Sequence, residues 1–260
     1  LKELLGSLEL NRIYQNDCFE GMKLIPDLSC DLAVLDPPYG MSYKSNWSKA
    51  FDEIKNDDNL EWVDEFFFEL NRVTKTDSHI YCFTSVEYID VFMREIKKYW
   101  KVKNIITVPR TMKGGLGDLH SSFSPQKEFI IFGTKGKRKF EETQILKPSE
   151  VYLKDKRKKP KEWIYRLPDD WEWLKVSEHN LKRVHPTQKT VEVTQTMIQL
   201  SSKENEVVID PFMGSGTTAV AASLNNRKWI GFETEKEYIE VANKRLDAIE
   251  LHNDLNELTK

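Results

Sequence analysis

A short apolar run, Val207-Val208-Ile209, breaks off into Asp210-Pro211-Phe212-Met213-Gly214-Ser215-Gly216-Thr217-Thr218-Ala219. The run is too short for a helix and is bounded by turn residues, so it reads as a buried strand. The small residues after it open a helix at Thr217. A second apolar stretch, Trp229 to Phe232, ends on an acid, Glu233, 17 residues beyond Gly216. Strand, glycine turn, helix and strand in that order form one βαβ unit, which belongs in a parallel sheet with helices on both faces.

The first third shows the same alternation. Asp31 to Leu35 reads as a buried strand ending at Asp36-Pro37-Pro38-Tyr39-Gly40. Trp62, Phe66, Leu70 and Val73 recur at helical spacing. Ile80 to Phe83 predicts a strand and Val86 to Tyr99 a helix. Late in the chain a helix is expected from Val191 to Ser202, and a final one to about Glu250. The fold class is therefore α/β.

Composition removes several functions. Of 260 residues, 39% are hydrophobic and 31% charged, with 39 Lys and Arg against 42 acids. No apolar run approaches the roughly 18 residues of a membrane span. With no secretory signal in view the cytoplasm is the expected location, although the sequence starts at Leu1. Cys18, Cys30 and Cys82 form no C-x-x-C pair, so neither a disulfide framework nor a metal site is expected. The net charge of −3 hides a basic stretch. From Lys135 to Arg166 there are 12 Lys and Arg and 5 acids, a local balance of +7. Tyr152, Trp163, Tyr165, Trp171 and Trp173 are threaded through and beyond it. Basic residues attract phosphates, and aromatic faces stack on bases or support a small subdomain.

Gly214-x-Gly216-x-x-Ala219 also matches the dinucleotide fingerprint, with Glu233 near the spacing of a ribose-binding acid. Electrostatics separates the two ligands. Asp210 at a strand tip would repel the pyrophosphate of a nicotinamide dinucleotide. The same carboxylate favours a ligand that carries an ammonium and a sulfonium, as S-adenosylmethionine does.

The other turn is stiff, because prolines fix φ and remove backbone donors. A carboxylate, an exposed carbonyl and an aromatic face on one rigid turn suit a planar ligand with an exocyclic amine. Tyr39 can stack on the ring while Asp36 and the Pro37 carbonyl accept the amine hydrogens. The lone pair of such an amine is delocalised into its ring. Hydrogen bonds to both hydrogens favour a pyramidal nitrogen and stabilise most where charge builds during methyl attack.

Asp36-Pro37-Pro38-Tyr39, then His185-Pro186-Thr187-Gln188-Lys189, then Asp-Pro-Phe-Met-Gly-Ser-Gly-Thr-Thr from Asp210 together resemble the amino-methyltransferase family of prokaryotic DNA modification enzymes. With the catalytic motif before the cofactor motif, the order is that of its β group. The resemblance spans about Asn11 to Glu250. It implies a Rossmann-like S-adenosylmethionine-dependent methyltransferase sheet with helices on both faces and a target-recognition insertion. The expected division is a catalytic half (1–133), the insertion (134–184), a cofactor-binding half of the same domain (185–250) and a tail (251–260).

Carried over by motif, Asp36, Pro37, Pro38 and Tyr39 would handle the target base. Asp210, Phe212, Gly214, Ser215, Gly216 and Thr217 would line the methionine side of the cofactor, with Glu233 on its ribose. Asp17, in Gln15-Asn16-Asp17-Cys18, resembles the acid that relatives place near the adenine; its plainer role is a helix N-cap. Thr187, Gln188 and Lys189 would close over the cofactor, although the family commonly has proline where this chain has Thr190. An Asp at the head of the tetrad resembles the adenine-N6 branch, a Ser there the cytosine-N4 branch. Cytosine C5 methylation needs a cysteine after a proline, and none of the three follows one. The resemblance thus implies adenine-N6 methylation of double-stranded DNA by base flipping. Cytosine-N4 or RNA amine methylation stands as the alternative, and a non-catalytic nucleic-acid-binding protein on this fold as the reading from another class. A second copy of the chain and a cognate restriction endonuclease are the further partners it implies.

Overall fold

The computed structural model describes residues 2–38, 60–109, 121, 123, 126–141, 167–172, 174 and 190–258. In chain order the elements are β1 (Leu4–Leu5), β2 (Leu8–Glu9), β3 (Arg12–Gln15), α1 (Cys18–Lys23), β4 (Cys30–Leu35), α2 (Val63–Val73), β5 (Thr74–Thr84) and α3 (Ile89–Ile96). They continue with β6 (Lys101–Pro109), β7 (Lys127–Lys135), α4 (Val191–Ser201), β8 (Val207–Asp210), α5 (Thr217–Leu224), β9 (Lys228–Glu233) and α6 (Lys236–Leu258). No helix among the described residues is long and apolar enough to cross a membrane.

Seven strands make one sheet in the order β3-β9-β8-β4-β5-β7-β6. The five from β3 to β5 are mutually parallel. β7 runs antiparallel to both β5 and β6, so the expected parallel sheet is corrected at this edge. A returning strand can pair with its predecessor without a crossover helix. β1 and β2 form a separate hairpin.

β4 is buried along its whole length, as a strand covered on both faces must be. Ala33 and Leu35 face one core layer, with Met22, Phe66, Phe67, Leu70, Phe92 and Ile96 from α1, α2 and α3. Leu32 and Val34 face the other, with Met197, Ile198, Ala219, Ala222 and Ala242 from α4, α5 and α6. Each fully buried large side chain contributes roughly 1.5–3 kcal/mol. α5 is lined with small residues because it lies between the sheet and its neighbouring helices, and six of its eight residues are buried.

Element bounds move where local pattern is weak. β5 starts directly after α2, at Thr74, whose hydroxyl donates to the Leu70 carbonyl at 2.8 Å. α3 is shorter than the Val86–Tyr99 expectation. α6 continues past Glu250 to Leu258, through residues assigned to a tail. It contains neither Gly nor Pro, so nothing in the sequence stops it.

The basic stretch is partly absorbed into the domain. Lys135 ends β7 and its Nζ donates to the Asn71 and Thr74 carbonyls, closing the end of α2. Arg138 pairs with Glu206 and donates to the Ser201 carbonyl. Trp171, grouped by sequence with the aromatics that could meet bases, is 2% exposed and belongs to the core. Its backbone N–H donates to the Thr107 carbonyl at 2.8 Å, docking 167–172 against the free edge of β6. Tyr152, Trp163, Tyr165 and Trp173 lie outside the described residues.

Candidate active site

Strand order reverses between β8 and β4. From β8 the chain crosses through α5 to β9, on one face; from β4 it crosses through α2 to β5, on the other. Connections that diverge this way leave a crevice at the carboxyl ends of the two strands, where ligands bind open α/β sheets. Ala33 pairs with Ile209, which puts Asp210 one step and Asp36 three steps beyond the last paired level.

The same rim continues across the sheet. Glu233 ends β9 and pairs with Gln15 of β3, and Asp17 follows two residues later. Four adjacent parallel strands, β3, β9, β8 and β4, thus each terminate in a carboxylate: Asp17, Glu233, Asp210 and Asp36. Sequence reasoning found all four acids but not that they form one row.

Asp210 is 4% exposed, and burial pushes its carboxyl up to about 7. The charges of Asp36 and Glu233 raise it further, opposed by hydrogen bonds from the Thr218 hydroxyl and the Phe212 N–H, the latter 3.0 Å from Oδ1. No described cation offsets it. Glu233 is raised by burial as well, against N–H donors from Gly214 at 2.8 Å and Glu235 at 2.9 Å. Asp17 does serve as the N-cap of α1, its Oδ1 accepting the Phe19 N–H at 2.9 Å. One carboxylate oxygen lies outside that bond.

The two glycines of the turn do different work. Among the described residues, a Cβ on Gly214 (φ +52°) would meet only the Phe212 carbonyl, at 3.9 Å, so they leave the backbone there open to approach. A Cβ on Gly216 (φ +80°) would stand 2.6 Å from the Ala242 Cβ of α6, so this glycine is needed for helix packing. Phe212 packs against Phe66 at 4.9 Å and Trp62 at 5.8 Å between ring centroids, forming an aromatic wall beside the crevice. Ser215 and Thr217 are both buried, and Arg245 of α6 donates to each of them. Sequence reasoning found neither Arg245 nor Trp62 as part of the site.

Of the proline turn, Asp36, Pro37 and Pro38 are described, with Pro37 buried. Tyr39 lies outside the described residues, as do Thr187, Gln188 and Lys189. Thr190 is the buried N-cap residue of α4 and makes no side-chain capping bond. Among the described residues no group of His, Cys, Asp and Glu could hold a metal ion.

The donor set fits S-adenosylmethionine. Acids on neighbouring strand tips suit an ammonium and a ribose diol, and among the described residues no cation offsets the buried carboxyl of Asp210, a charge that such a ligand brings. An open Gly214 lets the ligand reach the backbone.

Known proteins agree with this chemistry. A family model described as DNA methylase, of the N6 and N4 type, matches residues 30–244. The Type II methyltransferase M1.MboII of Moraxella bovis is 28% identical over 267 residues, 94% of this chain and 100% of its own length. M.HinfI of Haemophilus influenzae is 31% identical over 96% of this chain and 72% of its own. The DNA adenine methyltransferase YhdJ of Escherichia coli (strain K12) is 29% identical over 97% and 87%. Among solved structures, the M1.HpyAVI–SAM complex superposes with a TM-score of 0.62 at 27% identity, covering 90% of this chain and 98% of that one. The cytosine-N4-specific PvuII DNA methyltransferase superposes at 0.67 with 20% identity over 90% and 85%, a likeness of fold. The chain belongs to the N6/N4 DNA methylase family: it is a DNA methyltransferase that takes its methyl group from S-adenosylmethionine.

Proposed function

We propose that the chain methylates the exocyclic N6 amine of adenine in double-stranded DNA, with the base flipped into the crevice between the tips of β4 and β8. The placement of Asp36 beside Asp210 carries this reading. One acid faces the target and the other the cofactor, on adjacent parallel strands. The cofactor supplies an electrophilic methyl group on a sulfonium. Asp36 and the Pro37 carbonyl accept the two amine hydrogens and draw the nitrogen lone pair out of the ring, with Tyr39 stacked on the base. Asp210 binds the methionine ammonium and Glu233 the ribose diol, with Asp17 toward the adenine. Phe212, Gly214, Ser215, Gly216 and Thr217 form the turn beneath the methionine part, and Thr187, Gln188 and Lys189 close over it.

An Asp at the head of the proline tetrad supports adenine over cytosine, as does the likeness to the DNA adenine methyltransferase YhdJ. The Type II methyltransferases among the relatives support a cognate restriction endonuclease as partner and a cytoplasmic site of action on prokaryotic DNA. A second copy of the chain is the remaining partner. Nucleoside analysis of DNA methylated by the purified protein tests the target. N6-methyladenine is expected; N4-methylcytosine as the product would overturn the adenine assignment, and no methylated base would remove the enzymatic one.

A further inference from the structure

We propose that Arg245 is a positioning residue for methyl transfer. Resting on the assignment of the glycine turn to the cofactor, it fixes the Ser215–Gly216 peptide in the orientation that receives S-adenosylmethionine. Arg245 lies on α6, and its Nη1 donates to the Ser215 carbonyl at 2.5 Å, to Ser215 Oγ at 3.3 Å and to Thr217 Oγ1 at 3.3 Å. At the other end of the same peptide, the Gly216 N–H donates to the Met213 carbonyl at 2.9 Å. A peptide plane turns as a unit, and turning it beside a glycine costs least. Gly216, at φ +80°, is where this turn would otherwise flip. Holding both the carbonyl and the N–H removes that freedom.

α6 acts on the turn at two points of one helical face. Ala242, three residues before Arg245, is the residue a Cβ at Gly216 would strike. Glu233 holds the turn from the opposite side through the Gly214 N–H. The turn is thus clamped between the proposed ribose acid and a cation from the last helix.

A cation is an expensive choice for mere packing. Among the described residues its recorded hydrogen-bond partners are neutral oxygens, and burial with no offsetting acid pushes the guanidinium downward from its ordinary value. It also stands at the N-terminal end of α5, the positive end of that helix. Charge-assisted hydrogen bonds to a backbone carbonyl are what this position gains in return.

The test compares Arg245→Ala and Arg245→Lys with the full-length wild-type chain. The readouts are calorimetric affinity for S-adenosylmethionine, amide exchange across 214–217 in the cofactor-free protein, and steady-state KM against kcat. Arg245→Ala should raise Kd and KM for the cofactor roughly 10- to 100-fold while kcat at saturation changes less than about threefold. Exchange at Gly216 should accelerate, Arg245→Lys should recover most of the affinity, and added guanidinium ion should restore part of it to Arg245→Ala. If Arg245→Ala does not fold, Arg245→Gln, which keeps a donor but no charge, takes its place and must show a raised Kd with little change in kcat. Wild-type affinity in the variant, or an equal fall in kcat and kcat/KM at unchanged KM, overturns the proposal. Asp210→Asn separates the two levels. If it weakens cofactor binding and Arg245→Ala does not, positioning alone fails; if neither does, the turn is not the cofactor site.

Discussion

Asp36 and Asp210 stand on adjacent parallel strands, close enough that the charge of one raises the carboxyl of the other. One is at the head of the proline turn and the other at the head of the glycine turn, so substitutions there should separate two functions. Asp36→Ala removes the acceptor for the amine hydrogen and leaves Gly214 and Glu233 in place. Methyl transfer at saturating cofactor should fall on the order of 10²–10³-fold, the usual range for one preorganised partner. Cofactor affinity should change far less. Asp210→Ala should weaken cofactor binding first. Single-turnover methylation and calorimetry on both variants decide it; near wild-type transfer by a folded Asp36→Ala chain would sink the assignment.

Cofactor affinity should depend on pH through Asp210. Its carboxyl is raised to about 7, while a cationic ligand binds the ionised form. Affinity should therefore climb by up to about tenfold per pH unit below 7 and level off above it. Glu233, also raised by burial, acts in the same direction. Calorimetry from pH 5.5 to 8.5 should show this slope in the wild type and a much flatter one in Asp210→Asn. A flat wild-type profile would mean that Asp210 is not the group that meets the cation.

Much of this was legible in local sequence, for physical reasons. Strands buried on both faces are short continuous apolar runs, so β4 and β8 stood out, and each turn proposed to bear function is contiguous in the chain. What local pattern does not carry is neighbourhood. The charge of Asp36 reaches Asp210 because the sheet places β8 beside β4. Arg245 reaches a turn some 28 to 30 residues earlier, from a helix face that reads like ordinary surface. Trp171, Lys135 and Arg138 look like members of a basic, aromatic surface, yet a buried indole and two committed cations hold the domain together.

Lys135 and Arg138 are committed inside the fold, so the phosphate-facing charge should come from the remainder of the basic stretch. Lys154 to Lys161 carries six of its cations and lies outside the described residues. Replacing four of them by Ala should weaken DNA binding uniformly across sequences and lower the salt slope by about 0.9 for each lost phosphate contact. Cofactor affinity should be unchanged. Titrations of labelled duplex at several salt concentrations measure both quantities, and an unaltered slope would make this segment a solvated surface.

Two buried groups should give the cofactor-free protein opposing pH dependences. His79 is 2% exposed, and burial lowers its imidazole from 6.5 to about 4. Ser201 Oγ stands 2.8 Å from both His79 Nδ1 and the Tyr81 hydroxyl, while His79 Nε2 lies 3.3 Å from the Arg138 carbonyl. With Nε2–H donating to that carbonyl, Nδ1 accepts from Ser201 and Ser201 accepts from Tyr81, which satisfies a neutral ring. Between pH 6.5 and 4 the unfolded chain takes up a proton at this site that the folded one refuses, so stability falls as pH falls. Asp210 runs the other way. Its carboxyl is raised from 3.8 to about 7, so the folded chain keeps a proton the unfolded one has lost, and stability falls as pH rises through that range. At about 1.4 kcal/mol per pH unit, each effect is on the order of 3–5 kcal/mol over its window. Between pH 5 and 6.5 these two contributions should largely cancel in the wild type. His79→Gln should leave the Asp210 slope exposed, making the protein more stable at pH 5 than at 6.5 relative to wild type. Asp210→Asn should do the reverse, and should stabilise the cofactor-free chain at pH 8 while weakening cofactor binding. Urea unfolding at fixed pH gives each slope, and identical profiles for both variants and the wild type would show that neither group titrates as its surroundings require.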